Sequence, residues 1–351
     1  MTQPMRFGLI GLGGIGAVRR AALEASPAAE LSAAFDLDPA ALASLGPGVQ
    51  RCASAEALLG SDACEAVILS TPTQFHEPLA LAALEAGKHV LVEKPMASTL
   101  EGARRMQEAA RERGLTLTVG FNHRYFQAIK DVRAAVRSGA IGKLQYVKGF
   151  AGHTGLSEFK APWMYDKKIM GGGTLMDNGV HTLDLVCHLM GAPIHSVSGM
   201  IGSGVWNLEG SEDNAFVHLS TEDGVMGSLH SSWSEWKGYH FYVEAYGDRG
   251  MARAYYAPMG STVITLDKPG GPKKVRRKFY LKSILREKFN GWQSTVVQTF
   301  VEELQDFVSL ARGASAGQIA TAIDGLRSVE VPNAVYQSHL EKRSITLPGD
   351  E

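Results

Sequence analysis

Cysteine is scarce in this chain, with three among 351 residues. Cys52, Cys64 and Cys187 are odd in number and far apart, which suits neither a disulfide framework nor a Cys-x-x-Cys metal knuckle. A reducing, cytoplasmic setting is the simpler expectation. Excess charge is lacking too: 35 Lys and Arg stand against 36 Asp and Glu, so net charge gives no reason to expect nucleic acid as a partner. No run of apolar residues approaches the length a membrane span needs. The early segment "FGLIGLGGIGAV" superficially looks like the apolar part of a signal peptide, but its glycines and the following "RRAALEA" argue against that. Repeats, low-complexity tracts and long disordered linkers are missing as well. The expectation is a soluble globular chain without stable membrane insertion.

What is present is ordinary globular material, 45% apolar and 20% charged, in a length that suits two domains. The first third alternates short apolar runs with helical patterns. Residues 6–12, 31–36, 66–70, 89–93 and 115–121 read as buried strands, and 17–26, 39–45, 75–86 and 99–113 as helices. Ser98 and Glu101 form a capping box for the last of these, and Gly114 stands where it should stop. Such alternation predicts an α/β domain with a doubly wound parallel sheet over 1–122. Beyond that the pattern changes. A helix (124–138), a strand (144–153), a central helix and several alternating runs from 195 to 280 predict an α+β domain over 123–351, built on an open, mostly antiparallel sheet. Helical stretches at 294–312 and 317–341 close the chain and are available to pack back on the first domain.

Directly after the first strand comes "GLGGIG", which places Gly11, Gly13 and Gly16 as G-x-G-x-x-G, with Gly14 and Ile15 between. Glycine permits the tight turn and lets backbone N–H groups approach a pyrophosphate at a helix N-terminus. Alone, the motif could equally be a Gly-rich structural turn. Asp36, at the end of the second strand and 20 residues past Gly16, favours the cofactor reading. A carboxylate there accepts the ribose hydroxyls of NAD and repels the extra phosphate of NADP. Arg19 and Arg20 leave room for NADP unless they are simply solvated. Lys94, in "EKP" at the end of another long strand, lies at the carboxyl edge where open sheets bind ligands.

Residues 171–188, "GGGTLMDNGVHTLDLVCH", set Asp177, His181, Asp184 and His188 at one-turn spacings. They could be a metal site, a proton relay or the polar side of an ordinary helix. With "GLGGIG" (11–16), "EKP" (93–95), "GFNHR" (120–124) and "GGGTLMDNGVHTLD" (171–184) in this order, the chain resembles the glucose-fructose oxidoreductase and inositol dehydrogenase family, Gfo/Idh/MocA. The resemblance covers nearly the whole chain. It implies an N-terminal Rossmann domain, a C-terminal open-sheet domain, a sugar or cyclitol site between them, and homodimers or homotetramers formed through the sheet face. It also implies that Lys94, Asp177 and His181 match the family's catalytic positions. Glu93, Lys94 and Pro95 match positions lining the cofactor, with a cis Lys-Pro bond, and Thr71, Pro72, His76 and Asn122 fall on the cofactor side. Arg124 and Trp163 match substrate-side positions, as do Lys94, Asp177 and His181.

The residues support this chemistry independently. Oxidising a secondary alcohol requires a hydride acceptor and a base, and His titrates near neutral pH. His181 is expected to be the general acid/base, Asp177 its partner on the same helix face, and Lys94 the group that positions the reacting oxygen. No metal is expected, and Asp184 and His188 read as structural polar residues. The expected function is an NAD(H)-dependent oxidoreductase acting on a sugar, cyclitol or sugar derivative. The alternatives are a sugar-nucleotide 3-dehydrogenase or keto-sugar reductase, and a non-catalytic NAD(H)-binding regulator. Two features fit either plain or sharper readings. The basic stretch from Lys273 to Lys288 is a solvated edge or an anion contact. The aromatic stretch 149–166, with Trp163 and Tyr165, is a loop over a sugar ring or domain packing.

Overall fold

The computed structural model describes residues 3–157 and 161–348. Residues 158–160 of the aromatic 149–166 stretch lie outside the described residues. The chain divides into two compact units, one of Met1–Tyr125 with Arg286–Val329 and one of Phe126–Leu285 with Glu330–Glu351. This differs from a single cut at 122, because residues 286–329 return to the first unit.

In the first unit the apolar runs become β1 (Met5–Ile10), β2 (Ala29–Phe35), β3 (Gln50–Arg51), β4 (Ala66–Leu69), β5 (His89–Val92) and β6 (Leu117–Val119). The sheet order is β6-β5-β4-β1-β2-β3, all parallel, with a two-residue strand Ala320–Thr321 antiparallel to β6 at one edge. The chain thus reverses direction across the sheet between β1 and β4, the position where doubly wound folds bind dinucleotides. Every residue of β4 is buried, as expected where helices cover both faces. On one face the helix Gln293–Ala311 lays Phe300, Leu304 and Phe307 into the core of Phe7, Leu9 and Leu91. The Phe7 and Phe307 rings lie 5.3 Å apart.

The helix Leu100–Arg113 ends at Gly114 with φ 63°, the left-handed stop foreseen for it. Its N-cap, however, is Thr99, whose side chain accepts from Gly102 N at 3.1 Å. Ser98 sits one residue too early, since the first helical residue is Leu100. The expected 124–138 helix also splits, into a 3-10 turn Asn122–Tyr125 and a helix Gln127–Arg137.

The second unit is built on β7 (Leu144–Gly152), β8 (Ile194–Gly202), β9 (Asn214–Thr221), β10 (Met226–Ser232), β11 (His240–Gly247), β12 (Gly250–Tyr256), β13 (Gly260–Leu266) and β14 (Lys273–Phe279). Their order is β14-β13-β12-β11-β7-β10-β9-β8, extended by Ile345–Thr346. Pairing is antiparallel except for β10 on β7. Alternation sends Phe241, Val243 and Ala245 inward with Ala215, Val217 and Leu219, against the helices Gln127–Arg137 and Val180–Met190. The opposite face carries an aromatic ladder: Tyr146 on Tyr246 at 4.5 Å and Phe216 on His230 at 4.0 Å. The strand expected over 144–153 is β7, so the first residues of the aromatic 149–166 stretch lie in the sheet. The basic stretch is also resolved into structure. β14 is an edge strand with all seven residues exposed, its Lys278 and Arg276 paired with Asp131 at 2.9 and 3.3 Å. Charge of this kind on a sheet edge discourages pairing with another strand.

Candidate functional site

In the first unit, β1, β4 and β5 deliver Gly11, Ser70–Thr71 and Glu93–Lys94 to one edge of the sheet. Gly11 has φ 91°, and a Cβ there would lie 2.6 Å from Ser70 O. A Cβ on Gly16 would lie 2.1 Å from Gly11 O, so helix and turn touch backbone to backbone. Gly13 and Gly14 have nothing within 4 Å of where their Cβ would be. Gly13 caps the helix Gly14–Ala25 without any side-chain bond, so the first helical N–H groups keep their capacity for an anion. Nearby, Ser70 Oγ and Thr71 Oγ1 are buried without a protein partner. The half-buried Asp36 carboxylate braces the turn, accepting Leu12 N at 2.5 Å and Asp38 N at 2.8 Å. An open glycine cradle, free helix N–H groups, two orphaned hydroxyls and an acid beside the turn together fit NAD.

Arg19, read from sequence as solvated or as a contact for the extra phosphate of NADP, is neither. It is 0% exposed. Its Nε donates to Glu93 at 2.6 Å, its Nη1 to Glu303, and its guanidinium covers the Phe300 ring at 3.5 Å. A buried cation requires such pairing. Gly120 is required beside it, since a Cβ there would meet Arg19 Nη2 at 2.4 Å. Burial pushes the Glu303 carboxyl up to about 7 despite the guanidinium. Arg20 bonds Ser44 Oγ at 2.8 Å.

His76 is buried between two carbonyls, 2.9 Å from Thr71 O and 2.9 Å from Pro95 O. It latches the loop after β4 to the loop after β5. Burial lowers its basicity, and a neutral ring donates to one carbonyl at a time. Lys94 is half-buried and precedes a cis peptide to Pro95. The imidazole of His123, a residue within "GFNHR" to which the sequence assigns no role, is pushed down to about 3 by burial and by the charge of Lys94. It therefore stands near Lys94 as a neutral ring. Asn122 is buried and donates to Thr299 Oγ1 at 3.0 Å. Arg124 holds the carbonyls of Gln318 and Ile319 and the carboxylate of Asp324 at 3.2–3.4 Å. The structure gives Arg124, a buried side chain, a packing task within the first unit.

In the second unit, three glycines open the segment 171–188. A Cβ on Gly172 would meet Tyr336 Oη at 2.0 Å, and one on Gly173 would meet Glu212 O at 2.1 Å. The buried Glu212 carboxylate accepts Gly173 N and Leu175 N, both at 2.9 Å, and Tyr336 Oη at 3.2 Å. It thereby caps a π-helical turn, Leu175–Gly179, that runs into the α-helix Val180–Met190. Such wide turns recur at functional sites.

Asp177 lies on the π turn, 4% exposed, and two of its partners come from the residues directly after β7 and β10. Trp233 Nε1 donates to Asp177 Oδ2 at 3.1 Å. Gly155 N–H donates to His153 Nδ1 at 3.0 Å, so the proton of the neutral ring sits on Nε2, 3.3 Å from the same oxygen. Neither partner is legible in the sequence. His181 lies farther along, on the α-helix, and is partly exposed. Trp163, 38% exposed, lies on the 3-10 turn Pro162–Tyr165. The Tyr165 ring packs edge-on to Trp233 at 4.9 Å. Among the described residues no three His, Cys, Asp or Glu side chains cluster to hold a metal, and no helix is long and apolar enough to cross a membrane.

Family comparison matches this arrangement along most of the chain. Residues 5–121 match the oxidoreductase family with an NAD-binding Rossmann fold, and residues 129–253 match the GFO/IDH/MocA C-terminal domain. The chain belongs to the Gfo/Idh/MocA family. It is an NAD-binding oxidoreductase. Myo-inositol 2-dehydrogenase of Thermotoga maritima is 26% identical over 350 residues, 98% of each chain. A 1,5-anhydro-D-fructose reductase of Ensifer adhaerens is 32% identical over 239 residues, 65% of this chain and 69% of the relative. GenD2 from gentamicin A biosynthesis, solved with NAD, superposes with a TM-score of 0.81 at 25% identity over 99% of this chain and 98% of that one.

Proposed function

We propose that this Gfo/Idh/MocA oxidoreductase interconverts a secondary hydroxyl and a keto carbon on a sugar or cyclitol, with Lys94, Asp177 and His181 carrying the chemistry. The observation that carries this reading is the Asp177 carboxylate, buried yet held by two N–H donors four residues before a partly exposed histidine. Inositol dehydrogenase and anhydrofructose reductase relatives support the substrate class.

Gly11, Gly13, Gly14, Ile15, Gly16, Asp36, Thr71, Pro72 and the Glu93–Pro95 segment would hold NAD, which supplies a hydride acceptor when bound. Asp36 engages the ribose hydroxyls. Lys94 donates an N–H to the reacting oxygen and so favours negative charge on it as the hydroxyl proton leaves. His181 takes that proton and returns it in the reverse direction. Asp177, held in place by Trp233 and His153, stabilises the charged form of His181. Trp163 contributes a ring face to the substrate. We place the enzyme in the cytoplasm, since three free, buried cysteines suit a reducing compartment. We assign it a homodimer or homotetramer, as the half-buried aromatic face of the second sheet favours a covered state.

The test is NADH formation with NAD and a panel of sugars and cyclitols, on wild type and His181→Ala. Turnover that disappears in the variant while NAD binding persists supports the assignment. Full activity in the variant removes His181 from its role, and silence of the wild type across the panel with NAD bound refutes the substrate class.

A further inference from the structure

Trp206 and Trp236 belong to no part of the site described so far, yet they are joined to it. Trp206 Nε1 donates to Trp233 O at 2.9 Å, and Trp233 is the residue whose indole holds Asp177. One tryptophan therefore separates Trp206 from the Asp177 carboxylate. The Trp206 segment is fixed from behind. Asp213 Oδ2 accepts Val205 N at 2.7 Å and Trp206 N at 3.0 Å, and Asp213 is itself buried. Gly155, next but one to His153, makes room for the ring: a Cβ there would stand 2.5 Å from Trp206 Nε1.

Trp236 comes three residues after Trp233 and is 65% exposed. Its ring centroid is 6.1 Å from that of Trp206, with the planes inclined at 55°. The two rings are not stacked, so their faces are not spent on each other. Polar residues adjoin them in the chain. Glu235 is anchored through Lys237 N at 3.1 Å and lies 3.9 Å from His240 Nε2, and Asn207 is the next residue after Trp206. An exposed indole beside a partly buried one, with polar residues next to both in the chain, matches a pyranose, which has an apolar C–H face and a rim of hydroxyls.

We propose that Trp206 and Trp236 form a platform for a second sugar ring, so that the substrate is a glycoside whose reacting ring lies at Asp177 and whose neighbouring ring lies on the indoles. This rests on the sugar-oxidoreductase reading above and narrows its substrate class.

The test uses the full chain with NAD, titrated with glucose, maltose, cellobiose and trehalose. Tryptophan fluorescence gives Kd, and NADH formation gives KM where turnover occurs. At least one disaccharide should bind about three- to tenfold tighter than glucose, the range expected of one stacked ring. In Trp236→Ala, whose side chain is mostly in solvent, that advantage should fall to near one. Trp206→Phe, which keeps a ring face, should retain part of it. Equal Kd for glucose and all three disaccharides overturns the platform. So does a Trp236→Ala variant that weakens glucose and disaccharide alike, or one that changes only the sedimentation of the protein. Sugar binding is read without turnover, so absence of NADH would count against the proposed reaction and leave the platform separately judged.

Discussion

Replacing Trp233 by Phe tests whether Asp177 is held for chemistry or merely buried. The indole N–H reaches Asp177 Oδ2 at 3.1 Å, the ring is 0% exposed and the carboxylate 4% exposed. A hydrogen bond to a buried charge is worth about 1.5–3 kcal/mol. Phe removes that donor and leaves His153 donating to the same oxygen. If Asp177 supports the charge that develops on His181, most of the loss appears in the transition state, so kcat/KM should fall about 10- to 150-fold. The acid limb of its pH profile should move upward, because a carboxylate that must be ionised has lost a donor. Smaller side-chain volume also costs stability, about 1–3 kcal/mol by analogy with other large-to-small core changes, so melting temperature and NAD affinity are measured alongside. NAD affinity should not change. A variant that melts lower but keeps kcat/KM within twofold, with its acid limb unmoved, would show that Trp233 only fills space.

Asp36→Ala should weaken NAD binding and reduce the preference for NAD over NADP, read from Kd for both; an unchanged ratio would remove Asp36 from cofactor choice. Gly11→Ala forces a side chain into φ 91° with its Cβ 2.6 Å from Ser70 O, and should cost at least about 1–3 kcal/mol of stability together with NAD affinity. Glu303 gives a pH test. Its carboxyl titrates near 7 when folded against an ordinary 4.5, so the folded state binds more protons and the contribution is full below about pH 4.5 and lost as pH rises through about 7. Glu303→Gln should flatten that part of the stability curve in chemical denaturation, and a variant with the wild-type slope would refute it.

Legibility in the sequence tracks the range of the interactions. β4 is a run of four apolar residues, and the glycine turn, Asp36 and Lys94 each sit at the end of a strand that the alternation of apolar and helical segments reveals. Local grammar is enough for them. It is not enough for Arg19 and Arg20, adjacent and chemically identical in the sequence. One face of the helix Gly14–Ala25 turns Arg19 toward Glu303, 284 residues away in the chain, while Arg20 reaches a surface serine. No local signal separates the two, because the deciding partner arrives on a helix from the far end of the chain.

The π turn shows the same limit at the candidate site. The sequence puts Asp177 and His181 on one face only on the premise of a regular α-helix, and the nature of the turn depends on what grips its start. Glu212 supplies that grip from a separate segment, accepting two N–H groups of residues 173 and 175. The glycines before it are then explained by contact, since a Cβ at Gly172 or Gly173 would strike Tyr336 or Glu212. The motif "GGGTLMDNGVH" thus records two demands: room for distant side chains to hold the turn, and a carboxylate presented from the turn they hold. Only the second can be read as chemistry in the sequence. The first explains why substitution at Glu212 or Tyr336, which bear no reacting group in the proposed mechanism, should still disturb Asp177.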